Sequence, residues 1–169
     1  MRPLPIVVAD TTPLNYLILI GSIDLLPKLF ETVLIPEAVR SELRHPGAAS
    51  RVRIRATQPP AWIEIHAGSA LATDDPMLSA LDAGEAAAIA LAHQVRADLV
   101  LMDERSGVAV ATAQGLETTG TLGVLDRAAR RGLIELSDAF SRLKATNFRY
   151  QPELLDALLA RHARKKPEL

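Results

Sequence analysis

The stretch Ile6 to Leu17, IVVADTTPLNYL, decides the fold. Its opening Ile-Val-Val-Ala is a continuous apolar run of the kind a buried strand uses, and it stops abruptly on a carboxylate, Asp10. Thr12 and Pro13 read as N-cap and first helical residue, opening a helix that runs through Ile20 and ends at Gly21. A strand built for burial that terminates on an acid, directly before a helix, is the feature from which the rest follows.

The same alternation recurs along the chain. TVLI (32 to 35) is a second short strand, and Pro36 opens the helix EAVRSELR. The stretch His45 to Met77 is broken by HPG, QPP and DDP and is expected to hold a short arginine-rich helix and the strand WIEI. LDAGEAAAIALAHQV is an alanine-rich helix, ADLVLMD a strand, ERSGVAVATAQ a helix, LETT a strand and GTLGVLDRAARRG a helix closed by Gly132. SDAFSRLKA and PELLDALLARHARKK read as two amphipathic helices with a polar tail. Short strands joined by helices of about ten residues predict an α/β fold, with a central mostly parallel sheet covered by helices on both faces. The expected organisation is a single domain over 1–169, with a helical extension from about residue 137. In open sheets of this kind, sites form beyond the carboxyl ends of the strands. Asp10 ends one strand there, and Asp103 ends another after VLM.

A chain of 169 residues that is 49% hydrophobic can bury one sizeable core. The absence of cysteine excludes a disulfide framework and thiolate metal sites. The N-terminus reaches charge too early for a signal peptide, and no apolar run approaches the roughly 20 residues of a membrane span. A cytoplasmic protein with no membrane partner is therefore expected.

Net charge is −1, but it is unevenly placed. From Asp74 to Asp126 nine acids face two arginines, whereas Arg40 to Arg55 carries five arginines against Glu42, and Asp138 to Leu169 seven bases against four acids. An acidic centre with basic flanks suits a metal-dependent enzyme acting on a polyanion, since carboxylates hold cations and arginines hold phosphates. It is also compatible with ordinary surface charge.

Taken one at a time, the acids have structural readings beside the functional one. Asp10 and Asp103 suit strand-terminating turns or caps, and Asp103-Glu104 sits where a helix N-terminus welcomes acids. Glu85 fits a capping box begun by Asp82. Glu42 borders the buried face marked by Val39 and Leu43. The histidines, His45, His66, His93 and His162, are scattered without ligand spacing and read as structural or surface residues.

Asp10 in DTTPL, Glu42 in PEAVRSEL, Glu85 in LDAGEAAAIALA, Asp103 in LVLMDE and the later GTLGVL together resemble the PIN-domain nucleases, more narrowly the branch related to VapC toxins. The likeness runs from about Ile6 to Gly132. It implies a metal-dependent ribonuclease, the toxin of a toxin–antitoxin pair, in which Asp10, Glu42, Glu85 and Asp103 are catalytic. Asp10, Glu85 and Asp103 would bind metal, with Glu104 standing where the branch usually has a second aspartate and able to serve in its place. Glu42 would act through water or on the nucleophile. Asn15, Thr11 and Thr121 are candidates for substrate or supporting contacts, as caps and turns otherwise. The resemblance also implies a homodimer and an antitoxin. Two cations of the branch are missing, with Val108 and Ala129 at their positions.

Carboxylates gathered this closely would raise one another's pKa unless a dication compensated them. Mg²⁺ or Mn²⁺ suits oxygen-only ligands. Arg40 and Arg44, followed by Arg51, Arg53 and Arg55, are the candidate RNA contacts, or else a solvated basic face. With few aromatics, recognition through backbone and shape is expected over stacking. The apolar faces of TPLNYLILI and PELLDALLARHA serve either the core or a second copy. Two other classes stay open: an aspartyl-phosphate phosphatase, which would want an acid where Thr12 stands, and a catalytically silent RNA- or protein-binding domain.

Overall fold

The computed structural model describes residues 3–67 and 75–165. The first aspartate of the DDP break and the polar tail after residue 165 lie outside them. The chain divides into two compact units, Met1–Thr121 and Leu122–Leu169.

The first unit is an α/β layer structure. Its strands are β1 (Val7–Ala9), β2 (Val33–Pro36), β3 (Ile63–His66), β4 (Leu99–Leu101) and β5 (Thr118–Thr119). They form a sheet in the order β3-β2-β1-β4-β5, with every pairing parallel. The expected fold class is therefore found. The chain builds outward from β1 to β2 and β3, then returns across β1 to add β4 and β5. The point where this direction reverses lies between β1 and β4, and their carboxyl ends carry Asp10 and Asp103. Register brings Ala9 beside Leu101, and the Asp10 amide donates to the Leu101 carbonyl at 2.9 Å, so the two acids leave the sheet as neighbours.

Helices α1 (Thr11–Leu19), α2 (Leu25–Phe30), α3 (Glu37–Leu43), α4 (Ser50–Thr57), α5 (Pro76–Ser79), α6 (Ala83–Val95) and α7 (Arg105–Ala113) connect the strands. Side chains alternate across a strand, so Val8 and Val100 face one layer and pack with Ala88, Ile89, Ala92 and Ala111 of α6 and α7. On the other side Leu14 and Ile18 of α1 meet Ile35, Ile63 and Ile65 around a small apolar cleft. β1 is fully buried, which is why its sequence reads apolar at every position rather than at alternate ones.

Two details depart from the sequence reading. The N-cap of the first helix is Asp10 itself, in extended conformation, so Thr12 is already helical. The helix α2 has no counterpart in the sequence reading. Its Pro27 stands in the first turn, where a missing N–H breaks no helical hydrogen bond, so proline marks a start rather than a break.

The second unit contains most of α8 (Thr121–Arg130) together with α9 (Leu136–Lys144) and α10 (Pro152–Lys165). Gly132, with φ 71°, closes α8 as expected, and the Leu133 amide returns to the Ala128 carbonyl. Asp126 ties α8 to α10. Its Oδ2 accepts from Arg161 at 2.9 Å and lies 2.7 Å from the Arg130 guanidinium, while Oδ1 meets His162 at 2.9 Å. Burial alone would raise this carboxyl, but the hydrogen bonds from His162 and Arg161 and the two guanidinium charges outweigh it and hold the pKa below the usual value. A depressed carboxyl contributes stability above the unfolded pKa near 3.8, and loses it as pH falls through the lower folded value. Asp126→Asn should therefore weaken α10 at neutral pH by about 1–2 kcal/mol, modest because both arginines are half exposed. Faster amide exchange along α10 at pH 7, with the difference from wild type shrinking below pH 4, is the expected readout.

Candidate active site at the carboxyl edge of the sheet

Asp10 is 2% exposed, and its Oδ1 has no hydrogen-bond partner. As an N-cap it would normally accept from the second or third amide of its helix, yet its side chain makes no such capping bond. Burial is the main reason its pKa rises from 3.8 to about 7. The Thr11 amide offsets part of that rise, and the charges of Asp82, Glu85 and Glu42 add to it. These four acids therefore share one electrostatic neighbourhood, although they come from the end of β1, from α3 and from the start of α6.

The N-terminus of α6 gathers them. Asp82 caps the helix, its Oδ1 accepting from the Glu85 amide at 2.9 Å. In return the Asp82 amide donates to the Glu85 carboxylate, completing the capping box anticipated from the sequence. The Gly84 amide donates to Glu42 Oε1 at 2.9 Å, and Thr11 Oγ1 donates to Glu42 Oε2. Three carboxylates thus meet the open amides and positive end of one helix, which lowers the cost of crowding them. Glycine is required for the approach, because a Cβ on Gly84 would lie 2.5 Å from both Glu42 oxygens.

Glu85 is buried, its pKa raised first by desolvation and then by Asp82 and Glu104. Its carboxyl reaches toward α7, where a Cβ on Gly107 would come within 3.4 Å of it. Asp103 is half-buried and committed differently. Both its oxygens accept from Thr121, Oδ1 from the amide at 2.8 Å and Oδ2 from the hydroxyl at 2.7 Å. Its pKa is raised, chiefly by burial, against the lowering effect of those two bonds. Gly120 leaves room for this, since a Cβ there would collide with Asp103 Oδ1. Glu104 is exposed at the N-cap of α7, and its charge acts on both Glu85 and Asp103, linking the two halves of the acidic edge.

The remaining residues singled out in the sequence have local roles. Thr11 holds Glu42, and Thr121, wholly buried, holds Asp103. Asn15 is half-buried one turn into α1. Arg40 ties α3 to α4, its Nε donating to the Ala56 carbonyl at 3.0 Å, and Arg44 pairs with Glu37 at 3.3 Å. The structure does not bring these two arginines to the acids. On α4, Arg51 and Arg55 are exposed, and Arg53 reaches Ser50 Oγ at 3.4 Å. Val108 packs against the α6–α7 core, so an apolar contact occupies the position where a cation was expected. Sequence reasoning missed Asp82 as a member of the acidic group, because its cap role accounted for it completely.

An oxygen-only donor set with a buried, unpartnered acceptor at Asp10 suits a hard dication. Among the described residues, no three acid or imidazole side chains are close enough to enclose an ion by themselves. No helix among the described residues is long and apolar enough to cross a membrane.

A family model described as a PIN domain matches residues 6–164, and no curated protein matches the chain by sequence.

Proposed function

The chain belongs to the PIN-domain family, whose fold is of nuclease type, and we propose that it is a metal-dependent endoribonuclease hydrolysing RNA phosphodiester bonds. The observation that carries this reading is the buried Asp10 with its unpartnered oxygen, placed at the switch point of the sheet amid Glu42, Asp82 and Glu85. A toxin acting within a toxin–antitoxin pair, as a homodimer in the cytoplasm, is the narrower role we assign by the resemblance to VapC toxins.

Asp10, Glu85 and Asp103 would hold Mg²⁺ or Mn²⁺, with Glu104 beside them. When bound, such an ion lowers the pKa of a water and stabilises the leaving oxygen of an in-line displacement. The chain's own contribution is positioning and proton control. Thr11 and Gly84 fix Glu42, the capping box fixes Glu85, and Thr121 fixes Asp103. Asp10 keeps its proton up to about neutral pH, so loss of that proton and uptake of a cation are linked events at one carboxyl.

A cation that binds the folded chain alone stabilises it by about 2.7 kcal/mol at a hundredfold excess over Kd. Thermal melts at pH 7.5 should therefore shift upward with millimolar Mn²⁺ and return on chelation. Incubation of labelled RNA with the protein and Mn²⁺ tests the activity. Cleavage by wild type and none by Asp10→Ala supports the proposal, whereas equal cleavage by both reports a contaminant.

One observation favours a second reading. Both oxygens of Asp103 are engaged by Thr121, and two cations of the resembled branch are replaced by Val108 and Ala129. A PIN fold that binds RNA or protein without cutting fits those features. Mn²⁺ uptake without cleavage by the wild type would select it.

A further inference from the structure

We infer that the apolar cleft beside α4 is a docking surface for a partner protein, and that its occupant is an acidic segment presenting aliphatic side chains. None of the acids of the candidate site lines this cleft, so the inference stands whether or not the chain cuts RNA.

The cleft is walled by aliphatic carbon, from Ile18 on α1, Leu43 on α3, Pro59 after α4, and Ile63 and Ile65 on β3. Its volume is about 300 Å³ with the open mouth included, which is room for one or two aliphatic side chains of a larger partner rather than a site that encloses a small molecule. β3 is an edge strand with no fully buried residue, so Ile63 and Ile65 are left half-covered. Charge decides the kind of partner. Arg40 and Arg55 are the charged residues of the lining, and α4 itself carries no acid. On that helix Arg51, Ile54 and Arg55 lie one turn apart, with Ile54 63% exposed. Arg40 is occupied by the Ala56 and Thr57 carbonyls and by Glu37. Among the described residues, by contrast, no carboxylate pairs with Arg51, Arg53 or Arg55, and Nε of Arg53 is buried without a partner. Guanidinium groups left unbalanced around exposed aliphatic surface call for carboxylates and apolar anchors together. RNA would bring phosphates to the arginines but nothing aliphatic to the cleft, whereas an acidic protein segment with leucine or isoleucine anchors satisfies both.

The probe is a fluorescein-labelled synthetic peptide with leucines at helical spacing and glutamates between them, titrated into the full chain and followed by anisotropy and by amide chemical shifts. Saturable micromolar binding is expected, with the shifts gathered on α4 and β3, and none by the same peptide carrying lysine for glutamate. Arg55→Glu and Ile54→Glu should each raise Kd about tenfold or more, because each sets a like charge against the acidic ligand. Both side chains are exposed, so the substitutions spare the fold, and either variant alone decides. Absence of saturation, equal binding by the lysine peptide, or an unchanged Kd in a folded variant would overturn the inference. Displacement of the peptide from the same amides by single-stranded RNA would also overturn it, by making the surface one for phosphate. So would self-association of the wild type that shifts these amides and is lost in Leu154→Lys. Leu154, 48% exposed between the exposed Glu153 and Asp156, is a match that the chain itself carries, and the occupant would then be a second copy.

Discussion

Asp10→Asn is expected to abolish RNA cleavage, by about a thousandfold or more, and at the same time to make the protein more stable at pH 8. The two effects have one cause. Asp10 titrates near 7 in the folded chain against 3.8 as a free side chain, so the native state holds a proton that the unfolded state has released between those values. Stability therefore falls as pH rises from about 4 to 7 and stays low above it. The full penalty for ionising Asp10 is roughly 4 kcal/mol at most, in the absence of a cation. Asparagine removes the charge but leaves a buried amide without a partner, which costs about 1–2 kcal/mol. A net gain of about 1–3 kcal/mol in urea unfolding at pH 8 is the expected balance, vanishing or reversing at pH 5. An Asn variant less stable than wild type at pH 8, without added metal, would show that Asp10 is not under the electrostatic load described. Such a trade, in which activity is retained at the expense of stability, is what a site assembled for an absent charge should display.

Much of this site was legible in the sequence because its parts are local. A strand buried on both faces must read as a continuous apolar run, so Ile6 to Ala9 identified itself, and with it the position of Asp10 at a strand end. The box Asp82-Ala83-Gly84-Glu85 is likewise a short-range device and was found where expected. What the sequence did not disclose is non-local. Nothing in PEAVRSEL indicates that Glu42 will span from Thr11 to Gly84, residues 31 and 42 positions away from it. The partners of the arginines are non-local in the same way. Arg40 reads as a candidate RNA contact or as part of a solvated face, and the carbonyls that engage it come from the end of α4, which only the tertiary packing brings near. Asp82 reads locally as a cap and nothing more, since its charge acts on Asp10 only once β1 and α6 are packed together. The helix α2 escaped because six residues around a proline carry too little periodicity to be read.

Gly84→Ala is the substitution that most directly tests whether the clasp on Glu42 matters to function rather than to folding. The added Cβ would stand 2.5 Å from both Glu42 oxygens, a distance real contacts do not allow, so the carboxylate must leave. It is the far end of a flexible side chain and can do so without moving backbone. The cost is two hydrogen bonds, from Thr11 Oγ1 and the Gly84 amide, worth about 2–4 kcal/mol together because one partner is charged. Alanine in place of glycine within a helix returns up to about 1 kcal/mol, and the displaced carboxylate regains water. Stability should therefore drop by only about 1–2 kcal/mol in a urea titration. Activity has no such compensation. A charged group moved by an ångström or more from the acidic edge is expected to lower cleavage about a hundredfold, since displacements of that size carry costs of that order. Near-normal stability with a hundredfold loss of kcat/KM would assign Glu42 to the reacting site. An equal loss in Thr11→Val, which removes the other arm of the clasp and leaves Gly84 in place, would confirm that the orientation of Glu42, not the bulk of alanine, is responsible. Retained cleavage in both variants would reduce the clasp to a tether between α1, α3 and α6.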